Sequence, residues 1–265
     1  MVLFRCEDLA FSYDGLPAVR DLNLSVEAGE KLCIIGENGA GKTTLLKGLL
    51  GLLNPSEGRM VRSRELHAGG IGYLPQESPL QKDFPAVVGE AVLSGCQGRR
   101  GLWPFYTKAD KAAARANLER VGLAGQGRRS FRDLSGGQRR RVLLARSLCA
   151  AGVGADAARA ETSAAAYGIL LLDEPASGLD PLVQKELYAV LRSINADLGI
   201  TIIMVSHDMN GALEFADKIL HLGEKPLATW GTTLYFGSSQ NYRESEAGRR
   251  FLDGKYQLVY TLRPA

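Results

Sequence analysis

One stretch, Lys31 to Thr44, constrains this chain more than any other. Leu32, Cys33, Ile34 and Ile35 form a continuous apolar run, which suits a strand buried on both faces of a parallel sheet. Glycine ends the run at Gly36, and Leu45, Leu46, Leu49 and Leu50 then recur at helical spacing. Between strand and helix lies Gly36-Glu-Asn-Gly-Ala-Gly41-Lys42-Thr43, which fits GxxxxGK[ST]. In that setting the glycines let backbone N–H groups wrap phosphate oxygens, and the helix start adds positive potential. Gly36, Asn38, Gly39, Gly41, Lys42, Thr43 and Thr44 are therefore candidate nucleotide-binding residues. Lys42 is expected to reach the β and γ phosphates, and the Thr43 hydroxyl to bind Mg²⁺.

The chain has 265 residues, one large domain or two small ones. Its 45% apolar and 23% charged residues suit a globular protein and exclude disordered, collagenous and coiled-coil classes. A net charge of +3 gives no case for a nucleic-acid partner. Cys6, Cys33, Cys96 and Cys149 lack CxxC spacing, which argues against a zinc or redox motif. No apolar run approaches the roughly 18 residues of a membrane span. Glu7 and Asp8 interrupt the N-terminus, so it does not read as a secretory signal and a cytoplasmic location is expected.

Val2, Phe4 and Cys6 alternate, as do Leu22, Leu24 and Val26, which predicts half-buried antiparallel strands. Asp14-Gly15 is the hairpin signal between them. The helix after Lys42 is expected to end at Asn54-Pro55. Ile71, Tyr73 and Leu74 predict a short strand ending at Pro75-Gln76. A mostly helical stretch follows from about 85 to 149, broken by a loop at 97–107. Ile169–Leu172 and Ile202–Val205 are two more buried strands, with Val183, Leu187, Val190, Leu191 and Ile194 at helical spacing between them. The alternation implies parallel βαβ units and an α/β core. Residues 150–168 are nearly all small and read as an exposed insertion, either inert or with a regulatory or partner-contact role. Trp230, Tyr235, Phe236, Tyr242 and Phe251 make the last forty residues too aromatic for a disordered tail, so they should fold back onto the body.

Ile169-Leu-Leu-Leu-Asp173-Glu174 ends an apolar strand in two acids, delivering carboxylates to the edge where α/β sites lie. Asp173 suits the Mg²⁺ shell, and Glu174 can polarise an attacking water as general base. Leu134-Ser135-Gly136-Gly137-Gln138 precedes a helix that opens with Arg139-Arg140-Arg141, a triplet expected to be a solvated or carboxylate-paired face.

With LSGGQ the chain resembles the ABC ATPases, and further motifs match in order over about residues 1–222. The resemblance implies that Tyr13 stacks on adenine, that Gln76 belongs to the Q-loop and the Mg²⁺ shell, that Asp180 closes the D-loop and that His207 is the switch histidine contacting the γ-phosphate. It implies that Glu174, His207, Gln76 and Lys42 carry catalysis. It implies further that Ser135, Gly136, Gly137 and Gln138 bind the nucleotide held by a second copy, head to tail. The fold implied is a P-loop NTPase with a RecA-like α/β core, an N-terminal antiparallel β subdomain and a helical signature subdomain at about 85–150. Residues 1–222 would form the ATPase domain, and 223–265 a C-terminal extension packed on it.

ATP and Mg²⁺ are the cofactors implied. The partners implied are a second copy, integral membrane permease subunits and an extracytoplasmic substrate-binding protein, with no nucleic acid. The location implied is cytoplasmic, peripheral on the inner face of the cell membrane. DFPAVVGEAVLSG, the GLWPF loop and LERVGL are similar to ATPases of the bacterial zinc, manganese and iron-type uptake group. The alternatives are an importer of another small solute, or a soluble ABC ATPase of a ribosome or DNA machine. Phe84, Pro85 and the Trp103–Tyr106 loop either line a permease-receiving cleft or cover the helical subdomain.

Overall fold

Asp14 and Gly15 both adopt positive φ, 49° and 80°. They close a two-residue turn between β1 (Val2–Tyr13) and β2 (Leu16–Glu27). A type I′ hairpin requires positive φ at both central positions, and Asp-Gly supplies it. The computed structural model describes residues 1–64, 66, 70–76, 85–99, 105–154, 168–224 and 230–252. Along it follow β3 (Lys31–Gly36), α1 (Lys42–Leu50), β4 (Glu57–Arg62), β5 (Ile71–Leu74), α2 (Val88–Leu93), α3 (Lys108–Arg120) and α4 (Gly136–Ala150). Then come β6 (Ile169–Asp173), α5 (Pro181–Leu198), β7 (Thr201–Val205), α6 (Met209–Phe215), β8 (Lys218–Glu224), β9 (Gly231–Ser238), α7 (Ser239–Tyr242) and α8 (Glu246–Leu252). Residues 155–167 of the small-residue insertion, Phe84, and residues 100–104 of the loop expected at 97–107 lie outside the described residues.

The chain divides into two compact units. The first comprises Met1–Arg5, Ser25–Lys31 and Val61–Ser206. Its strands run β7-β6-β5, all parallel, with Ile71 opposite Ile169 and Ile169 opposite Thr201. Every residue of β6 and β7 is buried, as expected of apolar runs covered on both faces. Helix α4 seats directly on β5. Ser147 Oγ donates to the Tyr73 carbonyl at 3.0 Å, and a Cβ on Gly72 would stand 2.0 Å from the Ser147 carbonyl oxygen. Thr107 and Asp110 form the capping box that starts α3. Asp180 caps α5 ahead of Pro181, and Leu187, Tyr188, Leu191 and Ile194 form its buried stripe.

The second unit comprises Cys6–Leu24, Leu32–Met60 and the chain from His207 onward. Its strands run β4-β1-β2-β9-β8-β3. β3 pairs parallel with β8, β8 antiparallel with β9, and β9 parallel with β2. The glycine of α1 lets that helix close on β1, since a Cβ on Gly48 would stand 2.0 Å from Phe11 Cζ. Residue 222 lies inside β8, and the chain beyond it contributes β9, α7 and α8 to this unit.

Two sequence expectations need correction. Helix α1 stops at Leu50, short of Asn54-Pro55, because Gly51 takes the left-handed conformation (φ 77°) and its amide bonds back to the Gly48 carbonyl. Strand β1 does not alternate strictly: Leu3 and Phe4 are both fully buried, as are Leu9 and Phe11 with Ala10 between them at 2% exposed, so it is covered on both faces at those points.

The α4–β5 contact leaves no room for a methyl group. Gly72→Ala must push backbone from backbone, and a loss of about 2 kcal/mol is expected for such overpacking. In a chain of this size that lowers Tm by roughly 4–8 °C, read by thermal denaturation against wild type.

Candidate nucleotide-binding and hydrolysis site

In the second unit the loop between β3 and α1 is pressed from three sides. A Cβ on Gly36 (φ 144°) would stand 2.0 Å from the Leu222 carbonyl oxygen in β8, and one on Gly41 (φ 85°) 2.0 Å from Val19 Cγ2 in β2. From β9, Gly231 meets the loop itself, where an added Cβ would lie 2.1 Å from the Ala40 carbonyl oxygen. Lys42 is only 6% exposed, and its Nζ donates to the Gly36 and Glu37 carbonyls at 2.8 and 2.7 Å. The ammonium is thus stationed inside the loop's own curve. Asn38, Gly39 and Thr43 are exposed and Thr44 is half-buried. Gly41 caps α1 without any side chain, so the helix start offers backbone donors to an anion.

Tyr13 ends β1, 43% exposed, with Lys47 Nζ 5.9 Å from its ring centroid. His207 is exposed and precedes Asp208, which caps α6 through the Gly211 amide. His221, in β8, is buried, with Nδ1 2.9 Å from Tyr242 Oη and the Phe251 ring centroid 4.6 Å away. Burial, then the nearby Lys42 charge, lowers its pKa to about 4.

In the first unit β5 and β6 pair with Leu74 opposite Leu172. That register, carried two residues on, faces Gln76 with Glu174, and Gln76 Nε2 donates to Glu174 Oε2 at 3.0 Å. Glu174 holds φ 48°, a left-handed conformation that costs a residue with a Cβ about 1–2 kcal/mol. Its amide donates to the Val205 carbonyl at 3.1 Å. Asp173, 4% exposed, ends β6. Tyr73 is pushed above its ordinary pKa by burial, then by the Asp173 charge and its hydrogen bond to that carboxylate.

Ser135 caps α4 reciprocally with Gln138: Ser135 Oγ accepts from the Gln138 amide at 3.3 Å and Gln138 Oε1 from the Ser135 amide at 3.1 Å. The amides of Gly136 and Gly137 open the helix behind this cap. Gly137 also lies close under α5, where an added Cβ would be 2.7 Å from Val183 Cγ1. Asp180 Oδ1 accepts from the Leu182 and Val183 amides at 3.0 and 3.2 Å, a capping role that accounts for it locally.

The arginine triplet departs from the expectation of one solvated or paired face. Arg141 does pair with Glu186, but Arg140 is 2% exposed and turned inward. Its Nε donates to the Pro175 carbonyl at 2.8 Å, Nη1 to Pro75 at 3.4 Å and Nη2 to Glu174. Helical phase would have found it, because Arg140, Leu144, Ser147 and Leu148 share the buried stripe of α4. The contacts of Tyr73 and His221 carried no sequence signal either, since a strand aromatic and a lone strand histidine form no motif. Among the described residues no group of three His, Cys, Asp or Glu side chains is arranged to hold a metal, and no helix is long and apolar enough to cross a membrane.

A family model described as ABC transporter matches residues 19–152. The chain is 33% identical over 246 residues, 92% of each chain, to the manganese transport system ATP-binding protein MntB of Bacillus subtilis. It is 32% identical to the zinc transport system ATP-binding protein AdcC of Streptococcus pneumoniae, across 84% of this chain and 91% of that one. Its fold superimposes on cbiO1 of Clostridium perfringens, part of the ABC transporter complex cbiONQ, with a TM-score of 0.73, 25% identity and 98% of both chains covered.

The lowered His221 pKa sets a pH dependence. Between 6.5 and about 4 the unfolded chain takes up a proton that the folded chain refuses, so this contribution to stability is complete above 6.5 and is lost as pH falls toward 4. Urea denaturation at about pH 7 and about pH 5 should show a smaller loss for His221→Gln than for wild type.

Proposed function

Because the chain belongs to the ABC transporter family, whose members hydrolyse ATP, we propose that it is the ATP-hydrolysing subunit of a metal-ion uptake system and powers separate membrane permease subunits. The observation that carries this reading is similarity along 92% of both chains to a manganese transport ATP-binding protein, with a zinc transport counterpart close behind. The subunit acts peripherally on the inner face of the membrane, with an extracytoplasmic substrate-binding protein at the level of the whole complex. Residues 1–222 carry the ATPase, and the extension beyond them buttresses the phosphate loop through Gly231.

The residues divide the work by their chemistry. Tyr13 offers an exposed ring to adenine, a stacking contact worth about 1–3 kcal/mol. The amides of residues 36–44 and the Lys42 ammonium hold the phosphates. Glu174 orients and polarises the attacking water, and the Gln76 amide fixes its carboxylate by donating to Oε2. His207 contacts the γ-phosphate. Thr43, Gln76 and Asp173 offer a hydroxyl, an amide and a carboxylate oxygen, the hard donor set that Mg²⁺ takes. A divalent cation held by them would supply positive charge that offsets the charge of the phosphates.

Ser135, Gly136 and Gly137 contact the γ-phosphate of the ATP held by a second copy, with Gln138 and Asp180 ordering the same surface. A twofold pair then has two complete sites, and each copy lends a different half to each. ATP draws the pair together because both copies grip one γ-phosphate. Hydrolysis removes the shared contact and lets it open.

Glu174→Gln should lower turnover by about 10²–10⁴-fold, the range for losing general-base help, and accumulate an ATP-bound dimer in size-exclusion chromatography. Source cells carrying Glu174→Gln in their own copy, grown with metals scarce, should show a selective fall in manganese, zinc or iron that the wild-type chain restores. Unchanged contents of all three would contradict metal uptake.

A further inference from the structure

We propose that Arg140 is a positioning residue for ATP hydrolysis: its buried guanidinium ties the start of α4 to the backbone of both Pro75, which precedes Gln76, and Glu174, so that the γ-phosphate grip and the water-orienting carboxylate move as one piece. This rests on the ATPase reading above and adds a residue to it. The fork touches three carbonyls on two separate turns: Pro75, at the peptide entering Gln76, and Glu174 and Pro175, on either side of the peptide leaving the carboxylate residue. One planar group therefore sets the spacing between the two turns whose side chains meet at 3.0 Å.

The backbone there needs such a hold. Glu174 sits at φ 48°, a conformation that persists only where the surroundings over-determine it. The Val205 carbonyl accepts from its amide on one side and Arg140 donates to its carbonyl on the other. Helix α4 is fixed two turns further on, where Ser147 donates to Tyr73 and Gly72 admits the helix backbone. The helix is thus clamped to β5 at Ser147 and reaches the active turns through Arg140, one turn beyond the Ser135 cap. An arginine suits this task because its donors lie in a rigid fork, whereas a lysine presents one compact ammonium that cannot span three carbonyls in that geometry. Displacing a reacting group by about 1 Å costs on the order of 10²-fold in rate.

The test uses the purified full-length chain and two variants, Arg140→Lys and Arg140→Met. The second keeps a side chain of similar reach and removes its donors, whereas the first keeps a cation, so the two disturb the fold by different routes. Thermal denaturation identifies which variants are folded at the assay temperature. Turnover should fall about 10- to 100-fold in both, while ATP affinity, read by equilibrium binding of a fluorescent ATP analogue, stays within about twofold. The Glu174→Gln chain supplies the readout that a merely structural role would not move. Adding Arg140→Met to it should lower the residual rate by less than about twofold, because the group that Arg140 positions is already gone. Wild-type turnover in a folded Arg140 variant, a parallel loss of ATP affinity, or the same fold-loss in both backgrounds would overturn the proposal while leaving the ATPase reading intact. A wild-type chain that does not hydrolyse ATP would overturn both.

Discussion

The loop from Gly36 to Gly41 is rich in glycine and has few side chains with which to anchor itself, so its shape has to come from what presses on it. Here three strands press. The Leu222 carbonyl from β8 closes on Gly36, Val19 from β2 closes on Gly41, and Gly231 brings β9 against the Ala40 carbonyl, each at a distance that excludes a Cβ. Lys42 then threads its ammonium back onto the Gly36 and Glu37 carbonyls, which stations the charge inside the loop. The rest of the second unit serves this arrangement. Strand β9 comes from the far end of the chain, yet it lies between β2 and β8 and completes the clamp.

The first unit solves a different problem by different means. It has to hold two side chains at the ends of neighbouring strands, and parallel register does most of that. Once Leu74 faces Leu172, Gln76 arrives opposite Glu174. Register alone does not hold the turns beyond the strand ends, where the ladder has stopped and Glu174 is in a costly conformation. Arg140 supplies donors to those turns from a helix that β5 has already fixed. Close approach of glycine shapes the loop of the second unit, and a buried guanidinium on backbone carbonyls holds the turns of the first.

How legible this was in the sequence follows from the range of each interaction. Strands β3, β6 and β7 could be read because burial on both faces leaves a continuous apolar run, and the hairpin because Asp14-Gly15 satisfies its turn alone. The end of α1 was misplaced because Gly51 stops the helix by local geometry before Asn54-Pro55 is reached. The aromatic C-terminal segment announced that it would pack, and Tyr242 is fully buried, but its parallel seat on β2 is a non-local pairing that no local pattern encodes. The motif residues were legible as motifs. The bond between Gln76 and Glu174 was not, since it depends on the register of two strands far apart in the chain. Arg140 was hidden by its neighbours: three adjacent arginines look alike in sequence, and only helical phase turns one of them inward.

The central proposal is that each copy lends its phosphate loop to one site and its Ser135 turn to the other. Mixing two inactive full-length chains tests it most directly. Lys42→Ala spoils the phosphate loop and keeps the Ser135 turn, whereas Ser135→Arg does the reverse. Each alone should be nearly inactive, and the mixture should regain ATP hydrolysis, because a mixed head-to-tail pair contains one intact site. A mixture that stays as inactive as its components at every ratio, while wild type hydrolyses ATP under the same conditions, would contradict the shared-site account.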